Sequence, residues 1–365
     1  MTAYYQLLSG VLPNLDWAAG ELRTRLRASR LPATASLVDG DYGLSHLVVG
    51  EAVTRWIDWL EPTERAAGAE SHAMVQVDGI DLHVLRFSGE GVLPLLLVHG
   101  WPTSFLMFHR VIGGLRAVCS ELVLVSMPGF GTSPLPRASW SALDSSKLLL
   151  KMMEVLEFDR FAVHGEDWGS VVARAMGTLA PDRIAGVHVS AGLHGFLADG
   201  TAEDQAWRDL QRYAMNGSAY LRLQAERPDS LAFALADSPV GLLAWQLDKY
   251  SLWQAALGTD FGIGDDFIFA NATLYWLTNS AATSMRLYAT SRPDATPVFS
   301  PVPTAVSKFG VADFASHAVS DRHNNLVGWY EHGTGGHMAA LDSPTELVND
   351  LSLFMQRITQ LGAHS

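Results

Sequence analysis

The chain has one cysteine, Cys119, in 365 residues. A single thiol cannot close an internal disulfide or build a cysteine-rich zinc site. Basic residues are also few, with 25 Lys and Arg against 38 Asp and Glu, for a formal net charge of −13. An acidic surface argues against nucleic acid and anionic membrane as partners. No apolar run approaches the ~18 residues that a membrane helix needs. The N-terminal stretch MTAYYQLLSGVLPNLDWAAG lacks a basic segment and a continuous apolar one, so a signal peptide is not read there. The expectation is a soluble, cytoplasmic protein without a membrane anchor. The HExxH motif and the P-loop are missing, as is a G-x-G-x-x-G after the first strand. No G-x-S-x-G occurs either, which disfavours an ordinary serine hydrolase.

What is present is apolar: 48% hydrophobic residues against 17% charged, enough to fold a real core. Eleven tryptophans are a high count for this length. Residues 16–30 run from an acidic start to a basic end, which predicts a helix stopped before Pro32. A second helix is expected over Leu44–Leu60. Short β-rich runs follow at Met74–Val77, Leu82–Phe87, Leu95–His99, Leu122–Val125, Phe161–His164 and Val187–Ser190. Two more come late, at Thr304–Phe309 and Leu326–Tyr330. Asp78-Gly79 joins the first two as a hairpin. The later runs are nearly continuous in apolar residues, as parallel strands buried on both faces are. Helical patterns lie between them at Phe105–Val118, Trp140–Leu156 and Ser170–Leu179.

This alternation predicts an α/β fold with a mostly parallel, doubly wound sheet. It breaks near Gly195 and resumes at Thr304, so residues 195–300 read as a helical lid over the carboxyl ends of the strands. The expected organisation is an N-terminal helical region (1–70), a first core part (71–194), the lid, and a second core part (301–365).

The most informative segment is FAVHGEDWGS, Phe161–Ser170. A hydrophobic strand runs into Gly165-Glu166-Asp167-Trp168-Gly169, and a helix of small residues follows. This is a nucleophile elbow of the form G-x-Nu-x-G, with Asp in place of Ser. The turn is so sharp that side chains at the flanking positions would clash. On the pentapeptide alone, the competing reading of Asp167 is a plain helix cap. Chain order favours the elbow, because His337 follows the last expected strand within GGHMAA, where a base belongs. The segment LVHGWP, Leu97–Pro102, sits after the third expected strand, where an oxyanion hole is built. The backbone N–H groups of Trp101 and Trp168 can converge on one oxygen there.

An aspartate nucleophile selects the chemistry. Its attack on saturated carbon gives an alkyl ester, which water can cleave at the carbonyl. A serine would give an inert ether. Epoxides and alkyl halides are therefore the candidate substrates. An epoxide oxygen needs O–H donors, and the lid offers Tyr213, Tyr220, Tyr250, Tyr275 and Tyr288. A halide needs soft N–H donors. Composition alone does not choose between them.

These motifs resemble the epoxide hydrolases of the α/β-hydrolase fold, in the branch that contains the microsomal and juvenile-hormone enzymes. The resemblance rests on ELRTRLRASRLP (Glu21–Pro32), HGWPTS, GEDWG, YLRLQAERPD (Tyr220–Asp229), DSPVGLLAW (Asp237–Trp245), LYWL, SMRLY (Ser284–Tyr288) and GGHMAALDSP (Gly335–Pro344). It covers nearly the whole chain. It implies an eight-stranded sheet, Asp167 as nucleophile, His337 as base, and Tyr220 and Tyr288 as holders of the epoxide oxygen. It also implies a substrate site that includes His99, Gly100, Pro102, Trp245 and Trp276, with no metal or organic cofactor.

The triad acid departs from the family pattern. Gly310 stands in place of the usual proline, and Asp313 comes one residue late, with Asp321 and Glu331 as alternatives. The expected partner is a small epoxide, in detoxification or in secondary-metabolite biosynthesis. A homodimer is the default assembly. Two competing readings are a haloalkane-type dehalogenase, against which Trp101 stands where an Asn is common, and a ligand-binding relative without turnover.

Overall fold

The structure, a computed structural model, describes residues 3–32, 42–61, 71–201, 204–254, 262–291 and 297–362. The chain opens with α1 (Ala3–Val11), α2 (Leu15–Arg27) and α3 (His46–Trp59). The sequence reading has no counterpart for α1, which buries Tyr4, Tyr5, Leu7 and Leu8. Asp16 lies in the first turn of α2 and Arg25 and Arg27 in its last, each complementing the helix dipole. The Ser45 hydroxyl caps α3 by accepting the Val48 N–H.

The strands β1 (Ser71–Val77), β2 (Ile80–Ser88), β3 (Leu95–Val98), β4 (Glu121–Val125), β5 (Phe161–Glu166), β6 (Ile184–Ser190), β7 (Ser300–Lys308) and β8 (Asn324–Glu331) form one sheet. Their order is β1-β2-β4-β3-β5-β6-β7-β8. The pairs β1/β2 and β2/β4 are antiparallel, and every other pair is parallel. Asp78 and Gly79 both take positive φ at the hairpin, as an Asp-Gly turn does. Strands β3, β5 and β6 are buried along their whole length, because helices cover both faces.

The helix expected over Phe105–Val118 is broken. A 3-10 segment, Phe105–Val111, runs into the short α4 (Ile112–Arg116), whose Gly113-Gly114 pair has little helix propensity. Between strands lie α5 (Ala142–Val155), started by a Ser141/Asp144 capping box, and α6 (Trp168–Leu179), which follows β5 directly.

The lid between β6 and β7 contains α7 (Gln205–Asn216), α8 (Ala219–Glu226), α9 (Pro228–Asp237), α10 (Pro239–Trp253), α11 (Asp265–Leu277), α12 (Ser280–Ser284) and α13 (Arg286–Thr290). The N-terminal helices are tied to this lid. Trp56 Nε1 donates to Thr273 Oγ1 at 3.0 Å, and Arg55 pairs with Asp265 at 2.8 Å. The chain closes with α14 (His317–His323), β8, α15 (Ala339–Asp342) and α16 (Pro344–Gly362). Among the described residues no single helix is long and apolar enough to cross a membrane.

Candidate active site

The site forms where β3 and β5 end side by side. Asp167 stands between β5 and α6 with φ 54° and ψ −122°, a conformation that costs of order 1–3 kcal/mol and must be held by its surroundings. The neighbouring glycines show how it is held. A Cβ on Gly165 would lie 2.1 Å from the Gly169 carbonyl oxygen, and one on Gly169 would lie 1.9 Å from the Val98 oxygen. Both obstacles are backbone and cannot move aside. Ser170 Oγ donates to the Asp167 carbonyl at 2.6 Å and accepts the Leu193 N–H at 3.0 Å, which locks the turn onto the segment after β6.

The Asp167 carboxylate has a different partner on each oxygen. Oδ1 accepts the Trp101 N–H at 2.9 Å, and Oδ2 lies 3.2 Å from His337 Nε2. Trp168 is the first residue of α6, where a backbone N–H has no acceptor within the helix. Asp167 is therefore no side-chain cap of that helix; none is formed there.

His337 sits on the loop between β8 and α15. Its backbone N–H donates to the Trp253 carbonyl at 2.9 Å, and the two rings pack at 4.9 Å. Burial alone would lower the His337 pKa. The hydrogen bond and charge of Asp167 outweigh it, helped by the Ala312 carbonyl and the Asp313 charge, and hold the pKa above the ordinary imidazole value.

The orientation of His337 departs from the expected triad. Its Nδ1 lies 2.8 Å from the Ala312 carbonyl oxygen and donates to it. The Asp313 carboxylate instead accepts three backbone N–H groups, from Ala191 and Phe309 at 3.2 Å and Ala315 at 3.1 Å. Ala312 takes φ 53° and turns its carbonyl toward the imidazole, while Asp313 points into the amide nest behind it. Desolvation raises the Asp313 pKa against the opposing pull of those amides and of His337. The alternatives lie elsewhere: Glu331 pairs with Lys308 at 3.6 Å, and Asp321 is exposed on α14.

Above Asp167 is an apolar cavity of about 250 Å³, lined among others by Asp167, His337, Trp168, Tyr213, Tyr220 and Tyr288. Tyr220 stacks on the Trp101 indole at 5.6 Å, and Tyr288 meets Trp168 edge-on at 5.0 Å. The Tyr288 hydroxyl is buried and has no hydrogen-bond partner among the described residues. Burial, with the neighbouring charges, raises both phenol pKa values well above the usual tyrosine range, so both remain O–H donors.

The other residues expected at the site fall outside this lining. His99 is fully buried: Nδ1 donates to the Gly100 carbonyl at 2.9 Å, and Nε2 accepts the Met127 N–H at 3.2 Å. Gly100 lies against Asp167, where an added Cβ would come within 2.4 Å of Oδ1. The Pro102 carbonyl accepts from Asn271 Nδ2 at 2.7 Å. Trp245 donates to Gln224 at 3.0 Å and borders a small gap behind Trp101, while Trp276 is partly buried on α11. Sequence reasoning named Tyr213 only as one of five lid tyrosines, and did not single out the Trp253 contact or the Ala312 carbonyl. Only the lid position of Tyr213 and Trp253 signalled them.

The sheet order, the strained aspartate after β5 and the histidine before α15 define an α/β-hydrolase. A family model for the alpha/beta hydrolase fold matches residues 94–251, and one for the epoxide hydrolase N terminus matches residues 16–108. The chain is 30% identical to a protein of Stigmatella aurantiaca named "Putative epoxide hydrolase", over 92% of this chain and 81% of that protein. It is 27% identical to epoxide hydrolase 1 of Sus scrofa, over 94% of this chain and 87% of that one. The crystal structure of juvenile hormone epoxide hydrolase from the silkworm Bombyx mori superposes with a TM-score of 0.82 at 25% identity, covering 94% of this chain and 92% of that chain. The chain belongs to the epoxide hydrolase family.

Proposed function

We propose that the protein opens an epoxide to a vicinal diol through an ester on Asp167. The observation that carries this reading is the Asp167 carboxylate, held between the Trp101 N–H and His337 beneath buried tyrosine hydroxyls. Tyr220 and Tyr288 donate to the epoxide oxygen. Oδ2 attacks a ring carbon, the C–O bond of the ring breaks, and a tyrosine proton passes to the alkoxide. Oδ1 stays on the Trp101 N–H and becomes the ester carbonyl.

Ester formation also prepares the second step. It removes the Asp167 charge and hydrogen bond, the two main influences that raise the His337 pKa. The imidazole is then held neutral, with Nε2 free to accept a proton. His337 takes a proton from water, the water oxygen bonds to the ester carbon, and the negative charge develops on Oδ1. Collapse frees the diol and the carboxylate, and a proton returns to the tyrosine. Asp313 stabilises the imidazolium by its charge across the loop, without a hydrogen bond to it. The apolar lining fits an apolar small-molecule epoxide.

Turnover of a terminal epoxide in ¹⁸O water tests the covalent step. Label accumulates in the Asp167 carboxylate over repeated turnovers; an unlabelled carboxylate after many turnovers sinks the mechanism. Asp167→Asn is expected to lose on the order of 10⁴-fold or more in kcat, as loss of a nucleophile does in comparable triads.

A further inference from the structure

A chain of buried polar groups begins directly beneath Asp167 and plays no part in the steps above. Glu166 Oε1 lies 3.4 Å from His164 Nε2. His164 Nδ1 lies 3.0 Å from His188 Nδ1, and His188 Nε2 lies 3.1 Å from Ser307 Oγ. Ser307 Oγ is 2.6 Å from Asp350 Oδ2, which is also 2.7 Å from His332 Nε2. Only His332, on the loop after β8, is partly exposed. The chain therefore runs from near the surface, across β7, β6 and β5, to the residue beside Asp167.

Each of these contacts needs one hydrogen, and counting them fixes where the protons lie. Asp350 as a carboxylate accepts from Ser307 and His332. The Ser307 hydrogen is then used, so its oxygen accepts from His188 Nε2–H. Burial first, and then His164, holds the His188 pKa well below the imidazole value, so His188 is neutral and its Nδ1 is an acceptor. It accepts from His164 Nδ1–H. That leaves His164 Nε2 facing Glu166 Oε1, and a lone pair against a carboxylate would repel. One further proton must sit between them. The reverse order would put that proton on Asp350, at the end where a carboxylate is better solvated through His332.

Glu166 has a second connection. Its Oε1 accepts the Ala340 N–H at 3.2 Å, three residues after His337, so it ties the His337 loop to the end of β5. Asp342, also on α15, has its pKa raised to about 6 by burial and then by Glu166. The other groups that face this pocket are Asp167 and His337 above, and Tyr330 of β8 against the His188 ring.

We propose that Glu166 and His164 share one proton in the resting enzyme, and that Glu166 is a positioning residue that anchors the His337 loop through Ala340. The shared proton keeps a second uncompensated negative charge away from the Asp167–His337 pair.

The test is nitrogen-15 NMR of the histidine side chains in the full chain. The expected result is a hydrogen on His164 Nδ1; a His164 with bare Nδ1 and a hydrogen on Nε2 alone overturns the proposal. A second arm rests on the proposed epoxide hydrolysis. Glu166→Ala is expected to lower kcat about tenfold at unchanged KM, the effect of one buried N–H left without its acceptor. Glu166→Gln, whose amide oxygen can still accept the Ala340 N–H but cannot also donate to His164 from that same atom, is expected to restore kcat to within about threefold. A Gln variant as impaired as the Ala variant overturns the positioning role through Ala340. Absence of turnover in the wild type would count against the proposed function, and the NMR result would still decide this one. It also decides if Glu166→Ala does not fold.

Discussion

Four lid tyrosines are buried, Tyr250 and Tyr275 almost completely and Tyr220 and Tyr288 at 6% exposure, and they do opposite things with their hydroxyls. Tyr275 donates to the Thr103 carbonyl at 2.8 Å. Tyr250 donates to the Pro102 carbonyl at 3.5 Å and accepts from Asn271 at 3.1 Å. These two tie the lid to the loop that presents the Trp101 N–H. Tyr220 and Tyr288 line the cavity, and the Tyr288 hydroxyl has no partner among the described residues. An unpaired buried hydroxyl is a cost to folding. In the cavity wall a bound ligand can complete it, so hydrogen-bond satisfaction sets Tyr288 apart from Tyr250 and Tyr275.

The sharpest way to break this comparison is to remove hydroxyls from each pair. The Tyr220→Phe/Tyr288→Phe double variant is expected to lose at least ~10³-fold in kcat/KM, since one preorganised donor is worth about 10²–10³. Its thermal midpoint should change little, because no hydrogen bond of good geometry holds the Tyr288 hydroxyl among the described residues. A large fall in thermal midpoint with normal turnover would show that the cavity pair is scaffold after all.

Tyr275→Phe should behave the other way. It leaves the Thr103 carbonyl without its donor, at a cost of about 1–3 kcal/mol. Denaturant unfolding would read that loss. Turnover should fall less than tenfold, through a looser Trp101 loop rather than through the chemistry. If Tyr275→Phe costs activity as heavily as Tyr288→Phe, the distinction collapses.

The same division explains what could be read from the sequence. The sheet, the lid and the elbow were legible because each is local: alternating texture, Asp78-Gly79, and glycines on either side of Asp167. The separation of the tyrosines was legible only through motif resemblance, since nothing in YLRLQ or SMRLY says which hydroxyl is free. The Ala312 carbonyl was not legible. A backbone oxygen stands where a carboxylate was expected, and that depends on φ at Ala312. The His164–His188 contact was half visible, since the two residues are direct partners in the register of β5 and β6. Their link to Glu166 and Asp350 needs the third dimension. The break after Phe105 and the helix α1 were missed because tertiary packing, against the lid for α1, overrides weak local preference.

Histidines carry the comparison into pH. His99 has both nitrogens satisfied inside the loop, and burial, against the opposing Gly100 carbonyl and Asp167 charge, lowers its pKa to about 4. His83 is lowered to about 3, by burial and then by His72. In the unfolded chain both protonate near pH 6.5. Their contribution is therefore complete above that pH and declines as pH falls toward the folded values, by roughly 1 kcal/mol per pH unit for each histidine. His337 has the opposite sign. Its raised folded pKa adds stability below about pH 6.5, and that part is lost as pH rises through the folded value. Urea midpoints between pH 4 and 9 should show both limbs. His337→Gln should remove the alkaline decline and leave the acid one, whereas His99→Gln should make the acid limb shallower. An alkaline decline that survives in His337→Gln would mean that the Asp167–His337 pair is no more charged than the histidines of the scaffold.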